Sequence, residues 1–312
     1  MIHTITLNPA LDNIIYLNSF NRNITNRIKH TTTVLGGKGT HVSIDLKQLG
    51  KDNTAWGISF GVIGKTIIDM LEAEEIITQF LYYPERNSRT NYLIVEDSTD
   101  CTILSDKGVS LTDNMLDELI TGMKKQIAPR DILVLSGDVS NCNPDIYNIL
   151  IQELKSKHLS IYLDTSGLSL KECIKASPFL LKPNLDELSA LCSIPAAELQ
   201  TEAAMIHAIG LLDAYQIEVI ALSLGGDGSI VKYKDDFYRI YPPENTIVIN
   251  TIGCGDCYLS GLIAGFSEQM CIEDTLKLAT AASAATAESS ISSGFNRQRV
   301  KDFLNNVTIH KL

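Results

Sequence analysis

The chain has 312 residues, 45% of them hydrophobic and 20% charged, enough for one large α/β domain with a sizeable core. Its formal net charge is −11 and the acidic residues are spread along the chain, which excludes nucleic acid and anionic membrane as natural partners. An anionic ligand would need a few basic residues and backbone N–H groups to reverse that field locally.

No stretch approaches the roughly 18 uninterrupted apolar residues of a membrane span. The first residues read as a strand, without the basic flank and long apolar run of a signal peptide, so a cytoplasmic location is expected. Seven scattered cysteines argue against a secreted disulfide framework.

Short apolar runs alternate with helical patterns along the whole chain, which predicts an α/β fold: a mostly parallel sheet with helices on both faces. The predicted strands are Ile2–Leu7, Ile132–Leu135, Ile161–Leu163, Phe179–Leu181, Val219–Leu224 and Ile247–Ile249. Helical spacing recurs at Val42/Leu46/Leu49, at Ile146/Ile149/Leu150/Leu154 and at Leu259/Leu262/Ile263/Phe266, each set marking one buried face. Two regions, about 12–34 and 88–104, are rich in Thr, Asn, Tyr and Ile with turn residues between, and predict extra strands in a small separate sheet. No linker or repeat divides the chain, so residues 1–312 are expected to form one domain carrying a lid.

Three glycine-rich turns stand where chemistry could occur. Gly36-Gly-Lys-Gly39 opens the helix of Val42, and Lys38 adds a cation to a helix start suited to anions. Leu224-Gly-Gly-Asp-Gly228 follows a predicted strand at the end where open α/β sheets bind ligands. By itself it is equally a hairpin turn. Asn250-Thr-Ile-Gly-Cys-Gly-Asp256 precedes the helix of Leu259. Its glycines expose backbone N–H groups at a helix N-terminus, a cradle for phosphate. Asp256 then sits in the first turn as a candidate general base for an attacking hydroxyl. The alternative is a helix-capping aspartate.

Lys182-Pro-Asn-Leu-Asp-Glu187 follows another predicted strand. Asn184 and Glu187 suit hydrated Mg²⁺ held through water, and a capping box explains their spacing equally well. Cys254-Gly-Asp-Cys257 is a C-x-x-C at a helix start, the arrangement of thiol-disulfide oxidoreductases, and supplies a rival activity. Of the six histidines, only His41 follows a glycine turn closely enough to face a ligand.

Taken in order, Thr6-Leu-Asn-Pro-Ala-Leu-Asp12, Asn26-Arg27, Gly36-Gly-Lys-Gly39, Arg89-Thr-Asn91, Ser136-Gly137, Leu163-Asp-Thr-Ser-Gly167, Lys182-Pro-Asn-x-x-Glu187, Ser223-Leu-Gly-Gly-Asp-Gly228 and Gly253-Cys-Gly-Asp256 resemble the ribokinase-like (PfkB-type) carbohydrate kinases. The branch they resemble holds the 1-phosphofructokinases and tagatose-6-phosphate kinases. The resemblance implies a three-layer ribokinase-like fold with a small β-sheet lid. It implies transfer of the γ-phosphate of Mg-ATP to a ketohexose phosphate, fructose 1-phosphate first, with tagatose 6-phosphate or fructose 6-phosphate as alternatives.

It also implies roles. Asp12 would bind sugar hydroxyls, and Arg27, Arg89 and Lys38, with the Gly37 and Gly39 turn, would grip the substrate's phosphate. His41, Ser136 and Asp138 fall at sugar-contacting positions. Lys182, Asn184, Ser223, Gly225, Gly226 and Gly228 would lie near ATP, with Asn184 and Glu187 near its magnesium. Gly253, Cys254 and Gly255 would present amides to the transferring phosphoryl group beside Asp256. Lid edges could pair in a homodimer. The chain departs from the family pattern at Cys254, Cys257, Thr40-His41 and Asp138, where the family usually has Ala, a small residue, Ile-Asn and Ser. These departures give a non-catalytic sugar-phosphate sensor as a further alternative.

Overall fold

The structure, a computed structural model, describes residues 1–97, 101–137 and 139–312. Asp138 and part of the expected 88–104 strand region therefore lie outside the described residues. In chain order the first strands are β1 (Ile2–Thr6), β2 (Ala10–Leu17), β3 (His30–Gly36), β4 (Asn53–Phe60), β5 (Ile77–Tyr83), β6 (Arg89–Glu96) and β7 (Cys101–Leu104). There follow β8 (Ile132–Ser136), β9 (Ser160–Asp164), β10 (Leu180–Leu181), β11 (Val219–Ser223), β12 (Ser229–Tyr233), β13 (Asp236–Tyr241) and β14 (Thr308–Lys311). The helices are α1 (Lys38–Gln48), α2 (Gly61–Ala73), α3 (Asp113–Gln126), α4 (Ile146–Glu153), α5 (Gly167–Cys173), α6 (Leu185–Cys192), α7 (Glu202–Gly210), α8 (Cys254–Ser267), α9 (Ile272–Ala287) and α10 (Arg297–Leu304).

The large sheet has the order β14-β13-β12-β11-β10-β9-β8-β1-β4-β5. From β5 to β11 every pair is parallel, and the β11–β14 end is antiparallel. Period-2 alternation sends successive residues of one strand to opposite faces, and two cores result. Leu133, Leu135, Ile161, Leu163, Ile220 and Leu222 join the core under α3 to α7. Val134, Tyr162, Val219 and Ala221 join the core under α1, α8, α9 and α10. This is the expected three-layer α/β architecture, and both faces are covered as a parallel sheet requires.

A second sheet of order β3-β2-β6-β7 stands apart, drawn from the two regions expected to supply extra strands. Its inner residues Ile14, Val34 and Leu93 are buried together and pack against Ile252 of the Gly253 turn. Strand β3 runs straight into α1, so the small sheet and the large one meet at Gly36 and Gly37.

The segment Ile247–Ile249 is not a strand. Its three side chains are 69%, 61% and 54% exposed, and the Ile249 and Asn250 amides both donate to the Ala287 carbonyl at the end of α9 (2.8 and 3.1 Å). The strand that precedes it, β13, already has β12 and β14 on its two sides, and the run is held through its amides to the end of α9 instead. Conversely, β4 is wholly buried in the sheet without being an apolar run. Its Asn53 is accommodated because its amide donates to the Ser43 carbonyl at 3.0 Å.

Candidate active site

The start of α8 is built to stay open. Gly253 is its N-cap at φ 82° and offers no side-chain hydrogen bond. A Cβ there would stand 1.7 Å from the Ser292 carbonyl oxygen, so only glycine fits both the backbone angle and the space. Cys257 N–H donates to the Gly253 carbonyl at 2.9 Å, whereas among the described residues nothing accepts from the amides of Gly255 and Asp256. Unpaired amides at a helix N-terminus form an anion site. The helix itself is anchored by Leu259, Leu262 and Ile263, all fully buried, each contributing about 1.5–3 kcal/mol of burial free energy.

Asp256 is 6% exposed. Its Oδ2 accepts from His41 Nδ1 at 2.8 Å, and among the described residues no group donates to Oδ1. His41, on α1, is buried with both ring nitrogens engaged: Nε2 faces the Leu35 carbonyl at 3.0 Å and Ser292 Oγ at 3.4 Å. Burial works against the imidazolium, but the hydrogen bond to Asp256 together with the charges of Asp256, Asp45 and Asp12 outweighs it and raises the His41 pKa to about 9. Behind it on α1, Asp45 accepts from the Gly294 amide at 2.7 Å through Oδ1, while its Oδ2 has no partner. Burial raises the Asp45 carboxyl to about 7.

A second charged group lies alongside. Asp164, at the end of β9, is 1% exposed and sits between Lys38 Nζ (2.9 Å) and Lys182 Nζ (3.1 Å). Burial opposes its charge, but Lys182 and then Lys38 hold the carboxyl below its ordinary range. For Lys38, burial is likewise outweighed, chiefly by Asp164, and its pKa is raised. Lys182 Nζ reaches the α8 start, only 3.6 Å from where a Cβ on Gly255 would be. Lys38 and Lys182 therefore border the open amides and offset there the charges of Asp164 and Asp256.

Lys38 arrives there because Gly37, at φ 102°, caps α1 without a side chain and Gly39 lets the helix ride on β1, where a Cβ would meet Thr6 Oγ1 at 2.2 Å. Ser136 ends β8 with its hydroxyl buried and unpartnered. Asp12, in β2, is buried and accepts from Asn91 Nδ2 of β6 at 2.8 Å. Arg89 donates through Nε to the Asn8 carbonyl at 3.0 Å. Arg27 is on the exposed connection between β2 and β3.

On the other side of the Lys182 segment, Asn184 and Glu187 close a complete capping box at the start of α6, each side chain accepting from the other's amide at 2.8 Å. Asn184 also bridges Ser223 at the end of β11. Gly225 to Gly228 turn β11 into antiparallel β12, so that turn is the hairpin and also sits at a strand's C-terminal end. A groove of about 580 Å³ is lined by Asn184, Asp186, Ser223, Asp227, Arg239 and Tyr241, among others. No three His, Cys, Asp or Glu side chains converge on a metal site among the described residues. The exposed Asn184 and half-buried Glu187 fit instead the water-mediated holding of hydrated Mg²⁺, which asks for few protein ligands.

The cysteine pair does not have the setting of a redox site. Burial drives Cys254 up to about 12 and Cys257 well above its ordinary value, with carboxylates of Asp256 and Asp45 adding to both. The helix start that could have favoured thiolates is outweighed. Among the described residues no helix is long and apolar enough to cross a membrane.

Sequence reasoning gave no role to Asp164, Asn91, Asp45 or Ser292. Asp164 carried a readable signal, since it terminates a predicted strand at the ligand-binding end of the sheet. The others became visible only through their partners.

Residues 5–297 match the family model described as pfkB family carbohydrate kinase. The tagatose-6-phosphate kinase of Staphylococcus epidermidis is 32% identical over 286 residues, covering 90% of each chain. The 1-phosphofructokinase of Borreliella burgdorferi is 32% identical over 289 residues, covering 92% of each. The crystal structure of phosphofructokinase-2 from Escherichia coli in complex with potassium superposes with a TM-score of 0.89 over 97% of this chain and 98% of that one, at 21% identity, and thus shares the fold. The chain belongs to the pfkB family of carbohydrate kinases.

Proposed function

We propose that this kinase phosphorylates a ketohexose phosphate with Mg-ATP, fructose 1-phosphate being the first candidate, tagatose 6-phosphate the second and fructose 6-phosphate the third. The observation that carries the reading is the open start of α8, with Asp256 in its first turn and Lys38 and Lys182 beside it. Asp256 Oδ1 accepts the proton of the attacking sugar hydroxyl. The hydroxyl oxygen forms its bond to the γ-phosphorus as the bond to the β,γ-bridging oxygen breaks, and ADP leaves. The Gly255 and Asp256 amides and the two lysines neutralise charge on the transferring group, an arrangement already in place before reaction.

Sugar and nucleotide approach from different sides of this turn. Asp12, Asn91 and Arg89 belong to the small sheet and form the sugar side, with Arg27 and Arg89 as the cations for the substrate's own phosphate. Asn184, Ser223 and the Gly225–Gly228 turn form the nucleotide side, and Asn184 and Glu187 hold magnesium through its water. Residues 1–312 act as one unit in this reading, and the small sheet serves as a lid that excludes water. Exposed Tyr92, Ile103 and Leu104 on that sheet suit pairing with a second copy.

The test is a coupled assay of ADP release over the three sugar phosphates. Asp256→Asn should lower turnover by about 10³-fold, within the range of general-base catalysis, while leaving binding of ATP and sugar phosphate measurable by calorimetry. A wild type that binds both ligands yet releases no more ADP than Asp256→Asn would be a sensor instead.

A further inference from the structure

His41 is anchored by chemistry that leaves little choice of protonation. A backbone carbonyl only accepts, so Nε2 against the Leu35 oxygen at 3.0 Å carries a hydrogen. Nδ1 faces a carboxylate oxygen of Asp256 at 2.8 Å, so one further proton lies between the two groups. If Asp256 is to receive a proton from a hydroxyl, that shared proton belongs on the imidazole. The ring is buried and both nitrogens are occupied, so it offers the sugar no free edge.

We propose that His41 is the positioning residue of the base, an imidazolium that holds Asp256 Oδ2 in place and leaves Oδ1 to take the proton from the sugar hydroxyl. The proposal rests on the reading of Asp256 as the base. The charged and titratable groups around the ring are Asp256, Cys254 and Cys257 from α8, Asp45 and Lys38 from α1, and Asp12 from β2, with the Ser292 hydroxyl beside Nε2. The three carboxylates together outweigh the burial that works against the charged ring, so its pKa is raised. Leu35 lies in β3, so the same ring ties the base to the small sheet through one backbone carbonyl. When the ring loses its proton, the contact between Nε2 and the Leu35 carbonyl or that between Nδ1 and Asp256 loses its hydrogen, and the base loses its fixed rotamer.

The experiment follows the imidazole directly. In ¹⁵N-histidine-labelled full-length protein without ligands, His41, assigned by its disappearance in His41→Asn, should be doubly protonated at neutral pH and titrate near 9. In Asp256→Asn its midpoint should fall by about one unit or more, since the partner charge is gone. With the sugar phosphate that the coupled assay selects and Mg-ATP, kcat/KM of the wild type should fall above that midpoint. His41→Asn should lower kcat by about 10- to 100-fold, the scale of a misplaced catalytic group, with little change in the sugar KM and without the alkaline fall. An ordinary imidazole titration in an active wild type overturns the proposal alone. So does a His41→Asn enzyme whose sugar KM rises about tenfold at unchanged kcat, which would make His41 a substrate contact. A wild type inactive on every sugar phosphate removes the base itself, and the proposal with it.

Discussion

Two helix starts, α6 and α8, stand at the same edge of the large sheet and face the same site, yet they are finished in opposite ways. At α6, Asn184 and Glu187 exchange side-chain hydrogen bonds with each other's amides, and the start satisfies itself. At α8 the cap is a glycine with no side chain, and two amides next to a buried carboxylate are left without acceptors. A self-capped start contributes stability and offers its exposed oxygens outward. An open start gives up that stabilisation and becomes useful only when an anion arrives.

Closing the open start should have the largest effect. Gly253→Ala puts a Cβ 1.7 Å from the Ser292 carbonyl at a φ of 82°, so the turn must shift. We expect turnover to fall by about 10³-fold, as for a displaced set of phosphoryl-stabilising donors, together with a stability loss of about 1–3 kcal/mol for the strained backbone. Urea unfolding and the coupled assay measure the two. A variant with near-normal turnover would show that the open amides are not the phosphoryl site.

An intermediate effect concerns the buried charges behind α8. His41 and Asp45 both bind protons more tightly in the folded chain than unfolded, the first from its ordinary 6.5 to about 9, the second from 3.8 to about 7. Raised folded pKa values give stability that is complete below the unfolded value and lost as pH rises through the folded one. Stability should thus decline from about pH 4 to 7 through Asp45 and from about pH 6.5 to 9 through His41, at up to about 1.4 kcal/mol per pH unit for each. Asp45→Asn keeps an acceptor for the Gly294 amide and removes the buried charge. It should abolish the slope between pH 4 and 7 and raise stability at pH 8 by about 2 kcal/mol. Denaturation curves at pH 5, 7 and 9 settle it, and an unchanged slope in Asp45→Asn would assign the pH dependence elsewhere.

The smallest effect lies at the closed start. Glu187→Gln can still accept from the Asn184 amide, so stability should change by less than about 1 kcal/mol. Any effect on turnover should appear as a higher magnesium requirement, a few-fold in the Mg²⁺ concentration giving half-maximal rate, because only the charge toward the metal is lost. If the magnesium curve does not move, the capping box is all that Glu187 provides.

The same contrast explains what could be read from the chain alone. Apolar runs such as Ile132–Leu135 and Ile161–Leu163 are legible as strands because a sheet covered on both faces accepts little else. Ile247–Ile249 is as apolar and is a loop, exposed and held through its amides to the end of α9, because whether an apolar run pairs is set by its tertiary neighbours and not by the run. Strand β4 shows the converse, with Asn53 and Ser59 buried in the sheet, the Asn53 amide paired with the Ser43 carbonyl and the Ser59 hydroxyl without a partner.

For the site, local sequence determined the open glycine turn, Asp256 in its first helical turn and Lys38 at another glycine-rich start, because backbone angle and helix polarity are properties of a few consecutive residues. The tertiary structure alone decided that Asp164 joins Lys38 across 126 positions and that His41 meets Asp256 across 215. Hydrogen bonds of that kind are fixed by which strand and helix ends converge. A histidine that looked turned toward a ligand became, on folding, the partner of Asp256.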